Sequence, residues 1–222
     1  MSELQKLKET KKARIGFYSA GLHAYWDQFE GLYDCLMGYN RFICSRLQAW
    51  GEVYNFGMAD TEEKGREAGE YFNRNNVDII FSHSATYCTS ACLLPIHQIC
   101  RAPVIILNLQ PAAEMSYETT GTDRWLAQCV GCPVPEISNA FNRAGITYRA
   151  VNGLLGLPET PDFAKADEVT CDRPEAVHAW TQIRERCQAA QVRHTLQNSR
   201  FGFLGGYYSG MLDMYSDFTM LQ

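Results

Sequence analysis

The 222-residue chain contains no G-x-x-x-x-G-K-[ST] run, which excludes a P-loop nucleotide site. Its glycine-bearing stretches, GFYSAG at 16–21 and GFLGGYYSG at 202–210, have the wrong spacing for a dinucleotide fingerprint. Basic residues are in deficit, 20 Lys and Arg against 25 Asp and Glu, and the net charge of -5 argues against a phosphate-neutralising surface. No apolar run approaches the roughly 18 residues of a membrane span. The opening MSELQKLKETKKA also lacks the roughly 7 to 15-residue apolar core of a signal peptide. The expectation is a cytoplasmic protein with neither nucleic acid nor membrane as partner, and no repeat or low-complexity tract interrupts the chain.

What is present is a regular alternation of short apolar runs and helical periods. Strands are expected at 14–19, 52–56, 77–81, 103–108 and 146–151. From Asp27, the residues Phe29, Leu32, Leu36, Tyr39, Ile43 and Leu47 recur at steps of three and four, as on one helix face. Asp60 or Thr61 caps a helix over 62–73 with an acidic first turn, and a helix from Ser90 meets Pro95, which kinks it or delays its start. Residues 109–128 show no period and read as a long functional loop, followed by a helix over 135–144. Five strands joined by crossover-sized helices predict an α/β fold. It is a doubly wound parallel sheet flanked by helices, Rossmann- or flavodoxin-like in three layers.

The expected organisation is a flexible tail over 1–13, an α/β domain over 14–172, and a linker helix with an incomplete second α/β unit over 173–222. The linker helix, from Pro174 to about Asn198, has Val177, Trp180, Ile183, Cys187 and Val192 as its expected apolar side. A sixth strand is expected at 200–204, and an unpartnered strand and loop at the end suggest a piece of a longer chain.

In open α/β sheets ligands bind at the carboxyl ends of the strands, which directs attention to the loop carrying Leu22, His23, Tyr25 and Trp26. His23 and His83 both follow strand ends, and each reads either as a ligand contact or as a structural histidine. Asn108, Gln110, Gln128 and Glu136 are suited to bonding the hydroxyls of a polar ligand. Of the nine cysteines, most fall on apolar faces and are expected reduced and buried, Cys88 and Cys92 among them. Cys129 and Cys132 form a lone C-x-x-C that reads as two small apolar residues, a redox pair or half a zinc site.

The segments RIGFYSAGLHAYW, NVDIIFSHSATYCTS, PVIILNLQP, WLAQCVGCPVPEISNAF and FGFLGGYYSGMLDMYSDFT occur in this order between Arg14 and Thr219. Together they resemble the N-terminal part of the L-arabinose isomerase family, within the L-fucose and L-arabinose isomerase superfamily. The resemblance implies a cytoplasmic aldose–ketose isomerase of carbohydrate metabolism that uses Mn2+, with metal ligands and catalytic residues from regions beyond these 222 residues. It implies that this portion forms a homo-oligomer, hexameric or trimer-based, and lends strand-end loops to the sugar substrate of a neighbouring subunit.

Carried over by position, the family's Gln-His-Leu-Tyr run falls on Leu22, His23, Ala24 and Tyr25, an aromatic contact on Tyr87, and a glutamine on Gln128. The replacements at Leu22 and Ala24, and Gly131 where the family has histidine, leave the identity of the sugar open. The alternative reading is a stand-alone binding or regulatory module for a small molecule such as a sugar, without catalysis. A third is a redox protein using Cys129 and Cys132.

Overall fold

The computed structural model describes residues 12–116, 118, 120–158 and 169–200. The predicted sixth strand, the second α/β unit beyond Arg200, most of the N-terminal tail and the acidic connection at 159–168 lie outside the described residues. Within them the five strands are β1 (Arg14–Ala20), β2 (Glu52–Ala59), β3 (Ile79–Ser84), β4 (Val104–Gln110) and β5 (Tyr148–Leu154). The helices are α1 (Leu32–Leu47), α2 (Glu62–Arg74), α3 (Ser90–Ile99), α4 (Thr122–Leu126), α5 (Val134–Arg143) and α6 (Pro174–Gln197). Every strand pairing is parallel and the order is β2-β1-β3-β4-β5, the flavodoxin-like arrangement.

Strand alternation divides the core in two. Ile15, Phe17, Ile79, Phe81, Ile105 and Leu107 face α1 and α6 on one side. Tyr18, Ile80, Val104 and Ile106 face α2, α3 and α5 on the other. Both faces are therefore covered, as an all-parallel sheet requires. Among the described residues no helix is long and apolar enough to cross a membrane.

Several boundaries differ from the sequence reading. The helix expected from Asp27 begins only at Leu32, because Gly31 takes a left-handed φ of 76° at its N-cap and a 3-10 turn occupies His23–Tyr25. Thr61 is the cap of α2, its side chain accepting from the Lys64 amide at 3.2 Å. Pro95 lies inside α3, which starts at Ser90 as expected and is not delayed. Helix α6, expected as a linker, is built into the first unit: Ala176, Ala179, Trp180, Ile183, Cys187, Ala190 and His194 form its buried stripe. Val177 and Val192, expected on that side, are 55% and 60% exposed, since neither falls on this stripe.

Strands β3 and β4 run past their apolar stretches. Ser82, His83, Ser84, Asn108 and Gln110 continue the ladders toward the carboxyl edge. Polar groups there are held by a hydrogen-bond chain. Asn55 Nδ2 donates to Asn40 Oδ1 (2.7 Å), Asn40 Nδ2 donates to Ser19 Oγ (2.9 Å), and Ser19 Oγ bonds His83 Nδ1 (3.0 Å). The chain crosses the β1/β2 irregularity at Phe17 and Tyr18, where Gly57 has a φ of 91° and its amide donates to Asn55 Oδ1.

Candidate functional site at the carboxyl edge of the sheet

Strand order reverses between β1 and β3, so the loops leaving them border the crevice in which doubly wound folds take their ligands. The β1 loop is latched to the end of β2. The Gly21 amide donates to Ala59 O and the His23 amide to Asp60 O, both at 3.3 Å. The Asp60 carboxylate, fully buried, accepts from Trp26 Nε1 at 2.6 Å, pairs with Lys64 Nζ at 2.7 Å and lies 3.7 Å from His23 Nδ1. A Cβ on Gly21 would come within 2.9 Å of both the Trp26 ring and Met58 Sδ, so glycine is what lets the indole fold back over the strand end. Asp60 was legible in the sequence only as a possible cap; its work in anchoring this loop needed the fold.

The latch leaves the residues singled out by sequence in different places. His23 presents a side chain 67% exposed, and Leu22 and Tyr25 are half-buried beside it. Tyr87, on the β3 loop, is half-buried and near enough to Tyr25 that, with burial as the larger cause and Cys88 contributing, it pushes the Tyr25 phenol up. Leu22, His23 and Tyr25 thus share the β1 loop, and Tyr87 approaches Tyr25 from the β3 loop. Gln128 is buried, its backbone carbonyl accepting from Gln110 Nε2 at 2.7 Å.

Other polar candidates are structurally engaged. Glu136 Oε1 accepts from the Ser90 amide (3.0 Å) and hydroxyl (2.9 Å), closing the start of α3. Asn108 Nδ2 donates to Asn152 Oδ1 at 2.8 Å. His83 is buried beneath the site and burial lowers it to about 3, so it is neutral; among the described residues its Nε2 has no partner. On the buried side of α3, His97 is likewise lowered by burial to about 3, and its Nε2 bonds the Tyr18 hydroxyl at 3.0 Å.

The 84–90 loop is held from the side by the segment between α4 and α5. Ser84 Oγ donates to Val130 O (2.6 Å) and Thr86 Oγ1 to Leu126 O (2.7 Å). This segment also decides among the readings of the C-x-x-C: Cys129 and Cys132 are joined as a disulfide. The turn brings their Cα atoms to 5.6 Å, within bridging range. Among the described residues, Cys35, Cys44, Cys88, Cys92, Cys100, Cys171 and Cys187 are not disulfide-bonded.

Next to this segment, a shallow cleft of about 220 Å³ follows β4, lined by Met115, Gly121 and Trp125 among others, with Trp125 45% exposed. A larger cleft, about 610 Å³, lies at the opposite edge among Arg14, Asp78, Arg101, Arg193 and His194. Its size does not make it the ligand site. It sits at the amino ends of the strands, and its inner carboxylate is engaged: Asp78 pairs with His194 Nδ1 at 2.9 Å and accepts from the Arg14 amide at 2.7 Å.

Among the described residues no three His, Cys, Asp or Glu side chains are grouped so as to hold a metal ion. The described residues thus do not make a manganese site. No protein-family model matches the chain, and no curated protein matches it.

Proposed function

We propose that this chain is the substrate-loop and assembly portion of an aldose–ketose sugar isomerase of the L-arabinose isomerase type. The observation that carries the reading is the placement of His23 and Tyr25 at the β1/β3 crevice on a β1 loop latched by Asp60, with Tyr87 near Tyr25 on the neighbouring β3 loop. Aromatic rings and an exposed imidazole suit a sugar, whose C–H faces pack on rings while its hydroxyls take hydrogen bonds. Leu22 stands among these groups and would be the determinant of which sugar fits. In this reading Mn2+ and its ligands belong to other residues than those described, and the loop closes over a sugar held in a neighbouring subunit of a homo-oligomer.

The test is an NMR titration of the 15N-labelled chain with a panel of aldopentoses and aldohexoses, together with light scattering. Sugar-dependent shifts confined to residues 21–26 and 85–89 in an oligomer are expected. A panel that leaves those amides unmoved would overturn the reading.

A second reading is favoured by the covered sheet. With α1 and α6 on one face and α2, α3 and α5 on the other, the described unit is complete enough to act as a stand-alone small-molecule binding or regulatory module. A monomer that binds a sugar at the same loops would favour this reading over the first.

A further inference from the structure

The Cys129–Cys132 pair is used by none of the chemistry above. Its two sulfurs differ in access: Cys129 is 4% exposed, whereas Cys132 is at the surface, two residues before the first residue of α5. A helix N-terminus stabilises a thiolate there, and α5 runs for 10 residues. Glu136 in that first turn has its carboxylate engaged by Ser90. Most other thiols are withdrawn from exchange: Cys35, Cys88, Cys92, Cys100 and Cys187 are buried, and burial pushes Cys88 and Cys187 up, the latter to about 12. A zinc site is not the explanation among the described residues, since no third ligand joins the pair. Structural stapling is weak as a purpose too, because a ring spanning a separation of three residues constrains the unfolded chain very little.

We infer that Cys129 and Cys132 form a reversible thiol–disulfide exchange site for small thiols of the glutathione class, with Cys132 the attacked sulfur and Cys129 the resolving one. An external thiolate attacks Cys132 Sγ; the new S–S bond forms as the Cys129–Cys132 bond breaks, and the electron pair leaves on Cys129 Sγ, which takes a proton. A second external thiolate then attacks the external sulfur of that mixed disulfide and releases Cys132 as thiolate. Two external thiols are thereby oxidised to one disulfide and the protein pair gains two electrons.

The exchange is placed where it is felt. The carbonyls of Leu126 and Gln128, which hold Thr86 and Gln110, lie just before the ring, and that of Val130, which holds Ser84, lies within it. Its opening loosens the support of the β3 and β4 ends.

The test equilibrates the full chain in glutathione buffers from oxidising to reducing, quenches by alkylation and maps the cysteines by mass spectrometry. The expected result is that Cys129 and Cys132 pass together from protected to alkylated as one two-electron couple. In C129S the remaining Cys132 takes up one glutathione, and in C132S the remaining Cys129 does so on the order of tenfold more slowly, following their exposure. The inference is overturned if the native pair stays oxidised in the most reducing glutathione buffer, if the two thiols titrate independently, or if Cys132 captures no glutathione in C129S. The native titration needs no variant and stands whether or not the variants fold. It is also independent of sugar binding.

Discussion

Acidification offers the most direct test of the buried polar framework beneath the site. His83 and His97 are 1% and 2% exposed, and burial lowers both to about 3 from an ordinary value of 6.5. The unfolded chain therefore binds protons at these positions below 6.5 while the folded chain does not. Stability is fully present above 6.5 and is lost as pH falls through the window from 6.5 toward 3. At pH 5 the loss depends almost wholly on the unfolded value, since the folded groups are still neutral. It comes to about 2 kcal/mol for each histidine and about 4 kcal/mol for the pair.

That is a large share of the stability of an ordinary domain, and with a urea slope of about 2.5 kcal/mol/M it moves the midpoint by about 1.5 M. Urea unfolding followed by far-UV circular dichroism at pH 7.5 and pH 5 measures it. Asn at 83 can stand in for the Nδ1 that meets Ser19, and Gln at 97 for the Nε2 that meets Tyr18. His83→Asn and His97→Gln are each expected to remove about half of the pH-dependent loss. A wild-type midpoint that does not move between the two pH values, or a double variant that keeps the whole dependence, would refute the reasoning.

Three further outcomes follow from the loop and its supports. Asp60→Ala should cost about 2 to 3 kcal/mol in the same urea assay, chiefly by orphaning the Trp26 N–H, the half-solvated Lys64 pair adding less. Paired with Trp26→Phe in a double-mutant cycle, it should show coupling of about 1 kcal/mol or more, and additive single effects would remove the latch. Gly21→Ala forces a methyl against the Trp26 ring and Met58; it should cost about 1 to 2 kcal/mol and shift the tryptophan emission, and an unchanged spectrum would contradict the close approach. Reducing the Cys129–Cys132 bond should lower stability by no more than about 2 kcal/mol, because so short a ring holds little unfolded-chain entropy; a larger fall in the urea midpoint under reductant would show that the bridge staples the fold.

Much of the architecture was legible in composition and spacing. Apolar runs such as PVIILN, alternating with amphipathic periods, are enough to require five strands buried between helices, because a parallel sheet needs crossovers and both faces covered. A cap of α2 at Asp60 or Thr61 and the position of the β1 loop at a strand end were readable for the same local reasons. The last residues of β3 and β4 were not. Hydropathy loses a strand at Ser82, His83, Ser84 and Gln110, yet these residues continue the ladder since neighbouring strands and side chains satisfy their polar atoms.

Strand order, and with it the β1/β3 crevice, is a property of long-range pairing that no local period encodes. The same holds for the Asp60 latch, which joins residues 34 apart in the chain, and for the sorting of the candidate site. Chain position placed Leu22, His23, Tyr25 and Gln128 near strand ends and the resemblance added Tyr87, but only packing decided that Tyr87 approaches Tyr25 and that Gln128 is buried beside Gln110. Likewise C-x-x-C spacing permitted buried thiols or a bridge, and the turn between α4 and α5 chose the bridge by bringing the two backbones within bonding range.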